Sequence, residues 1–219
     1  MAKASLVVLI SGSGSNLQAI IDAIENKQLD AEIKAVISNK ASAFGLERAT
    51  RANIATYVVE HKKFPDRASF DRAMMLIIDP LKPDLVILAG FMRILSDAFI
   101  DHYQQRQINI HPSLLPKYQG LNTHQQALDN KDSTHGASVH YVSHELDSGP
   151  VVIQAEIPVL DTDTAASLAS RVLKEEHLIY PMVIGMHTAG RLTFKGDQLN
   201  LDEKPLTEPL IWKNQQLSR

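Results

Sequence analysis

The chain contains no cysteine, which excludes disulfides, thiolate nucleophiles and cysteine-ligated zinc or iron–sulfur centres. Any protein nucleophile is therefore oxygen or nitrogen. Dense Lys/Arg clusters are missing as well, and a net charge of −3 with 21% charged residues offers no basic surface to nucleic acid or an anionic membrane. Small molecules are the expected partners. Long apolar runs are absent from the amino terminus, where the first run ends before Ser11, too short for a secretory core or a membrane span. A cytoplasmic protein is expected. Nine histidines are present, but none forms an HExxH pair, so no metal centre is expected. Internal repeats, low-complexity blocks and heptads are likewise lacking, and 219 residues without a compositional break predict one domain.

What is present is an alternation of strand and helix patterns. Ser5 to Ile10 reads as a buried strand, followed by SGSGSN and then by Leu17, Ile20, Ile21 and Ile24 at helical spacing. Gly12 and Gly14 permit a tight turn and close approach of a ligand, and helix donors around Ser15 and Asn16 suit an anion such as phosphate. A dinucleotide fingerprint is disfavoured, because Leu17 stands at the third glycine position and Ile33 to Ile37 ends in Ser38-Asn39 rather than an acidic ribose reader. A glycine turn serving packing alone is the plain alternative. Helices near Phe44 to Ala52 and Ser69 to Asp79, with strands near Thr56 to Val59 and Asp84 to Leu88, continue the alternation and predict parallel pairing. Ser96 is expected to cap a helix reaching about Tyr103.

The stretch around which the rest is organised is QINIHPSLLPKYQG, Gln107 to Gly120. Side chains alternate along a strand, so Asn109 and His111 share one face while Ile108 and Ile110 take the other. Pro112 and Pro116 keep the following segment from coiling into a helix. An imidazole beside a carboxamide at a strand's carboxyl end reads as a hydrogen-bonding, proton-transferring pair. A structural histidine is the alternative.

Three other places carry candidate chemistry. In AGFMRILS, Phe91, Met92, Ile94 and Leu95 either cap the core or line a pocket, with Arg93 able to hold a planar or anionic ligand. SHELDSGPVV places Asp147 in a loop between two strand-like runs, one from Gly136 and one over Val151 to Val159. Asp161 or Asp163 is expected to start a long helix in which Glu176 interrupts the stripe of Leu168, Val172 and Ile179, as a solvated edge residue or an inward-facing acceptor. RLTFKGDQLNL predicts a hairpin, and the polar end after it a frayed tail. The expected fold is α/β, Rossmann-like and single-domain: a mostly parallel twisted sheet with helices on both faces and an antiparallel portion near the C-terminal half. Residues 1–190 are read as the domain and 191–219 as its hairpin-like extension and tail.

Taken in order, LISGSGSNLQAII, AGFMRILS, NIHPSLLPKYQG and GASVHYVSHELDSGPVV closely resemble the folate-dependent formyltransferase family over nearly the whole chain. SNKASAFGLERA and the glycine loop resemble the branch that formylates glycinamide ribonucleotide. The resemblance implies that Asn109, His111 and Asp147 form the catalytic trio, with the Asp147 carboxylate favouring an imidazolium at His111. It implies glycinamide ribonucleotide on Gly14, Ser15, Asn16 and Glu176, and 10-formyltetrahydrofolate as co-substrate against Arg67, Met92, Arg93, Leu95, Ile100, Asn109 and the His144, Glu145, Leu146, Asp147 loop. No metal is implied, and the family permits a monomer or weak homodimer. Asn122 departs from relatives that carry histidine there, and His140 reads equally as a partner of the trio or a structural histidine. Relatives acting on methionyl-tRNA, or hydrolysing formyltetrahydrofolate, are expected to need extensions that this length does not accommodate. A binding module that keeps the loop without catalysis is the rival of another class.

Overall fold

The computed structural model describes residues 3–218. Internal contacts divide the chain after Asn109 into two compact units.

The first unit alternates strand and helix: β1 (Ala4–Ile10), α1 (Ser15–Glu25), β2 (Ala31–Ser38), α2 (Gly45–Arg51), β3 (Thr56–Val58), α3 (Arg67–Ile78), β4 (Leu85–Leu88) and α4 (Asp97–His102), ending in β5 (Gln107–His111), whose last two residues begin the second unit. The strands are parallel in the order β3-β2-β1-β4-β5. Leu6 to Ile10 are wholly buried, as a continuous apolar strand must be when both its faces are covered. Each such Val, Leu or Ile contributes about 1.5–3 kcal/mol through burial. The chain moves outward from β1 to β3 and then resumes on β1's other side at β4. Strand order thus reverses between β1 and β4, and the loops leaving their carboxyl ends flank the crevice where open α/β sheets take ligands. Met92 N–H donates to Ser11 Oγ at 2.8 Å, joining those two loops.

The second unit holds α5 (Thr123–Asp129), the antiparallel pair β6 (Thr134–Tyr141) and β7 (Val151–Pro158), and α6 (Ala165–Thr188), followed by β8 (Leu192–Lys195), β9 (Gln198–Leu201), β10 (Lys204–Pro205), β11 (Leu210–Lys213) and β12 (Gln216–Ser218). The helix α6 buries Leu168, Val172, Ile179, Tyr180, Val183 and Ile184 and packs against β6, β7 and α5. The expected hairpin is β8–β9, extended by β10 into a small antiparallel sheet. Among the described residues, no helix is long and apolar enough to cross a membrane.

Three local expectations are corrected. The end of the chain is not frayed: β11 pairs parallel with β7, β12 pairs antiparallel with β11, and Trp212 Nε1–H donates to Glu175 at 2.8 Å. The long helix is capped by Thr164 rather than by Asp161 or Asp163, in a reciprocal box with Ser167, while Asp163 turns aside to accept from Leu160 N–H. Ser96 precedes α4 but makes no side-chain cap; its own N–H is taken by Asp71.

Candidate active site

In the first unit the glycine loop is shaped by close backbone contact. Gly14 lies at φ +69°, and a Cβ there would stand 2.5 Å from Gly45 Cα, so a side chain is refused by both conformation and space. Gly45 N–H donates to Gly12 O at 3.0 Å, which ties the start of α2 to the loop. Arg48, also on α2, donates from Nε to Ser13 O at 2.9 Å and from Nη1 to Gln18 Oε1 at 3.1 Å, with its guanidinium 5.0 Å over the Phe44 ring. The loop is therefore braced from outside itself. Helix α1 begins at Ser15 with no acidic residue in its first turn, so the positive end of its dipole faces the loop uncancelled. This is an anion-binding geometry.

The segment after β4 divides by burial. Met92 and Arg93 are exposed, whereas Leu95 and Ile100 are buried and belong to the core as much as to any pocket wall. Asp71 on α3 is 1% exposed and accepts the Ser96 N–H at 2.5 Å, anchoring the far end of that segment. Burial pushes the Asp71 carboxyl up, against the opposing pull of its Ser96 hydrogen bonds and of the Arg67 and Arg93 charges. Arg67 opens α3 on the surface. Asn109 is half-buried near the end of β5, opposite Leu88 of β4.

In the second unit two imidazoles converge on one carboxylate. His111 Nδ1 lies 3.4 Å from Asp147 Oδ2, and His140 Nε2 lies 3.7 Å from Asp147 Oδ1. All three side chains are nearly inaccessible to water. His111 Nε2 stands 2.8 Å from the carbonyl of Tyr118. A carbonyl only accepts, so the ring carries its proton on Nε2 and turns Nδ1 to the carboxylate. His140 is fixed the same way in reverse: Nδ1 donates to Tyr141 O at 2.9 Å, leaving Nε2 toward Asp147. Burial holds His140 below the ordinary histidine range, against the Tyr141 hydrogen bond and the Asp147 charge.

The loop carrying Asp147 is equally constrained. Asp147 adopts φ +49° and its Oδ2 accepts the Gly120 N–H at 3.0 Å. Two residues on, Gly149 lies so close to β6 that a Cβ would stand 1.9 Å from Tyr141 O, which explains the glycine of D-x-G-P. His144, Glu145 and Leu146, earlier in the loop, are exposed. The segment after His111 is clamped by Ser138 Oγ, which accepts from Leu115 N–H at 3.0 Å and donates to Ser113 O at 2.7 Å. Glu176 is 7% exposed, so the solvated-edge reading fails and the inward-facing one stands. Asn122 is the residue before α5, at φ +59°, a left-handed position that asparagine tolerates well. Arg48, Tyr118, Gly120 and Asp132 received no individual role from the sequence, although Arg48 lies within SNKASAFGLERA and Tyr118 and Gly120 within QINIHPSLLPKYQG.

These features occur on a chain that matches known proteins along most of its length. A family model described as formyl transferase matches residues 4–184. The phosphoribosylglycinamide formyltransferase of Escherichia coli strain K12 is 53% identical over 202 residues, covering 92% of this chain and 95% of that one. The human trifunctional purine biosynthetic protein adenosine-3 is 45% identical over 188 residues, 86% of this chain but 19% of that longer protein. Among solved structures, the phosphoribosylglycinamide formyltransferase of Coxiella burnetii, in complex with CHES, superposes with a TM-score of 0.90 at 52% identity, covering 94% of this chain and 96% of that one. A histidine–carboxylate pair and a braced glycine loop, carried on a chain so widely matched, make this protein a member of the formyl transferase family.

Proposed function

We propose that the chain transfers a formyl group from 10-formyltetrahydrofolate to the amine of glycinamide ribonucleotide, giving formylglycinamide ribonucleotide and tetrahydrofolate in purine biosynthesis. The observation that carries this reading is the buried Asp147 carboxylate held 3.4 Å from His111 Nδ1. The amine attacks the formyl carbon, forming the new C–N bond and a tetrahedral oxyanion. Asn109 donates its amide N–H to that oxygen, and a protonated His111 donates or transfers a proton to it. Asp147 stabilises the imidazolium by charge and takes part, through water, in removing the proton from the attacking nitrogen. Collapse of the intermediate breaks the bond to folate nitrogen, which leaves protonated. No covalent bond to the enzyme forms, and alignment of two substrates supplies much of the acceleration.

Gly14, Ser15 and Asn16 take the ribonucleotide phosphate at the start of α1, and Glu176 accepts hydrogen bonds from the sugar or glycinamide side. Folate is assigned to Met92, Arg93, Leu95, Ile100, Asn109 and the His144, Glu145, Leu146, Asp147 loop, with Arg67 toward its tail or the phosphate. All of these lie within residues 1–190; no chemical role is assigned to 191–219. The enzyme is read as a cytoplasmic monomer or weak homodimer that needs no metal.

The test supplies labelled 10-formyltetrahydrofolate with glycinamide ribonucleotide and methionyl-tRNA in competition. Label in the ribonucleotide supports the reading. Label only in the tRNA, or released as formate without an acceptor, overturns it.

A further inference from the structure

His111 is held by more than its carboxylate. Its Nε2–H donates to the carbonyl of Tyr118, a residue at φ +56°, a left-handed conformation uncommon for an aromatic side chain. Something must hold Tyr118 there. Its hydroxyl donates to Asp132 Oδ2 at 2.8 Å, and the adjacent Lys117 Nζ meets Asp132 Oδ1 at 3.0 Å. On the other side Ser113 Oγ donates to Lys117 O at 2.7 Å, and Ser113 N–H donates to His111 O at 2.9 Å. Asp132 itself is fixed, since its N–H donates to Ala127 O at 3.0 Å at the end of α5. A short chain of contacts therefore runs from Asp132 through the Tyr118 hydroxyl and backbone to the His111 ring, ending at Asp147.

We propose that Asp132 and Tyr118 are positioning residues for the reaction: Asp132 pins the Tyr118 carbonyl in place, and that carbonyl keeps one proton on His111 Nε2, so that Nδ1, facing Asp147, is the nitrogen that gains and loses the catalytic proton. This rests on the formyl-transfer reading for its chemical consequence. It does not for its geometry. With Nε2 committed to an acceptor, neutral His111 has one tautomer, and protonation occurs on the carboxylate side only. Loss of the Tyr118 anchor would let the ring share its proton between both nitrogens or rotate away from Asp147. Titratable groups whose charges reach His111 include His140 and His135 on β6 and His124 on α5, with Asp147 on its loop. Asp132 remains an anion, as an acceptor of both bonds requires, because the Tyr118 and Lys117 hydrogen bonds and the Lys117 charge together outweigh the upward push of burial and bring its carboxyl below the ordinary value.

The experiment uses Tyr118→Phe, which deletes only a hydroxyl, and Asp132→Ala, with ring nitrogen chemical shifts of His111 in ¹⁵N-labelled protein, assigned by the signal lost in His111→Asn. Steady-state rates against pH are measured on the same samples. The parent should show the Nε2–H tautomer for neutral His111. Both variants should show mixed tautomers, a roughly tenfold lower kcat with both KM values nearly unchanged, and a shifted acid limb of the kcat profile. The roughly tenfold figure is part of the 10²–10⁴ that positioned acid–base help supplies. Folded variants that keep the parent tautomer and pH profile overturn the inference, even if melting temperatures fall, because a merely structural contact would lower stability alone. A parent that transfers no formyl group while the tautomer still shifts in the variants sinks the reaction assignment and upholds the positioning of the ring.

Discussion

The backbone N–H of Gly120 donates to Asp147 Oδ2 at 3.0 Å, the same oxygen that faces His111 Nδ1 at 3.4 Å. The segment that follows the histidine thus returns to orient the carboxylate that serves it. Asp147 is fixed by Gly120, by His111 and His140, and by the close packing of Gly149 two residues later.

Gly149→Ala should therefore act through Asp147. A methyl group 1.9 Å from Tyr141 O cannot be accommodated without moving the loop. We expect kcat to fall about tenfold or more and the melting temperature to drop by several degrees, as about 1–3 kcal/mol of overpacking strain would produce. Assay and thermal melt on one preparation check this; an unchanged kcat would show that loop position does not govern the chemistry.

Gly14→Ala should damage the other end of the proposed reaction. The side chain meets Gly45 Cα at 2.5 Å and the residue must hold φ +69°. Ribonucleotide KM should rise by about tenfold or more while the folate KM stays close to the parent value. A rise in both, or in neither, would count against the glycine loop as phosphate site.

Asn16→Asp separates charge from shape at the same loop. It places an anion in the first turn of α1, which has no acidic residue of its own. The ribonucleotide should bind at least tenfold more weakly, an effect on the order of 1–2 kcal/mol, and calorimetric titration measures it directly. Unaltered affinity would remove phosphate from this position.

Acid should loosen the segment around α5. His124 Nδ1 and His135 Nε2 are 3.1 Å apart, a hydrogen bond that needs one unprotonated nitrogen. Burial, reinforced by the His124 charge, pushes His135 down from 6.5 to about 4, and burial lowers His124 as well. Because the unfolded chain takes up protons that the folded one refuses, stability is full above pH 6.5, is lost as pH falls from 6.5 toward about 4, and changes no further below that through this group. The loss is on the order of a few kcal/mol at about 1.4 kcal/mol per pH unit. Depressed carboxylates such as Asp132 and Asp163 titrate below 3.8 and so act outside this window. Melting curves from pH 7 to pH 4 should show the loss in the parent and less of it in His135→Gln, with the remainder carried by His124 and His140, which burial also lowers.

Much of this was readable in the sequence because it is local. Buried β1, the glycine loop and the helix after it follow from apolar pattern and glycine spacing within twenty residues, and the strand that carries Asn109 and His111 follows from its β-branched alternation. Contacts distant in sequence left no such trace. The Tyr118–Asp132 hydrogen bond joins residues 14 apart across a helix, and Gly45 against Gly14 joins residues 31 apart through two elements. The polar end after RLTFKGDQLNL predicted fraying, yet a strand needs only backbone pairing and a few buried side chains, which Leu210 and half-buried Trp212 provide. At the start of α6 four residues of capping type stand in succession, Asp161 to Thr164, and only the extended backbone of Thr164 and its box with Ser167 decide among them.

The most direct test of the account is the rate of tetrahydrofolate release from 10-formyltetrahydrofolate, with and without glycinamide ribonucleotide, for the parent and His111→Asn side by side. The account predicts release by the parent only when the ribonucleotide is present, one formylated product per folate released, and a rate at least 10²-fold lower in a folded His111→Asn, in keeping with lost acid–base help. Release without the ribonucleotide, or an undiminished rate in the variant, would contradict it.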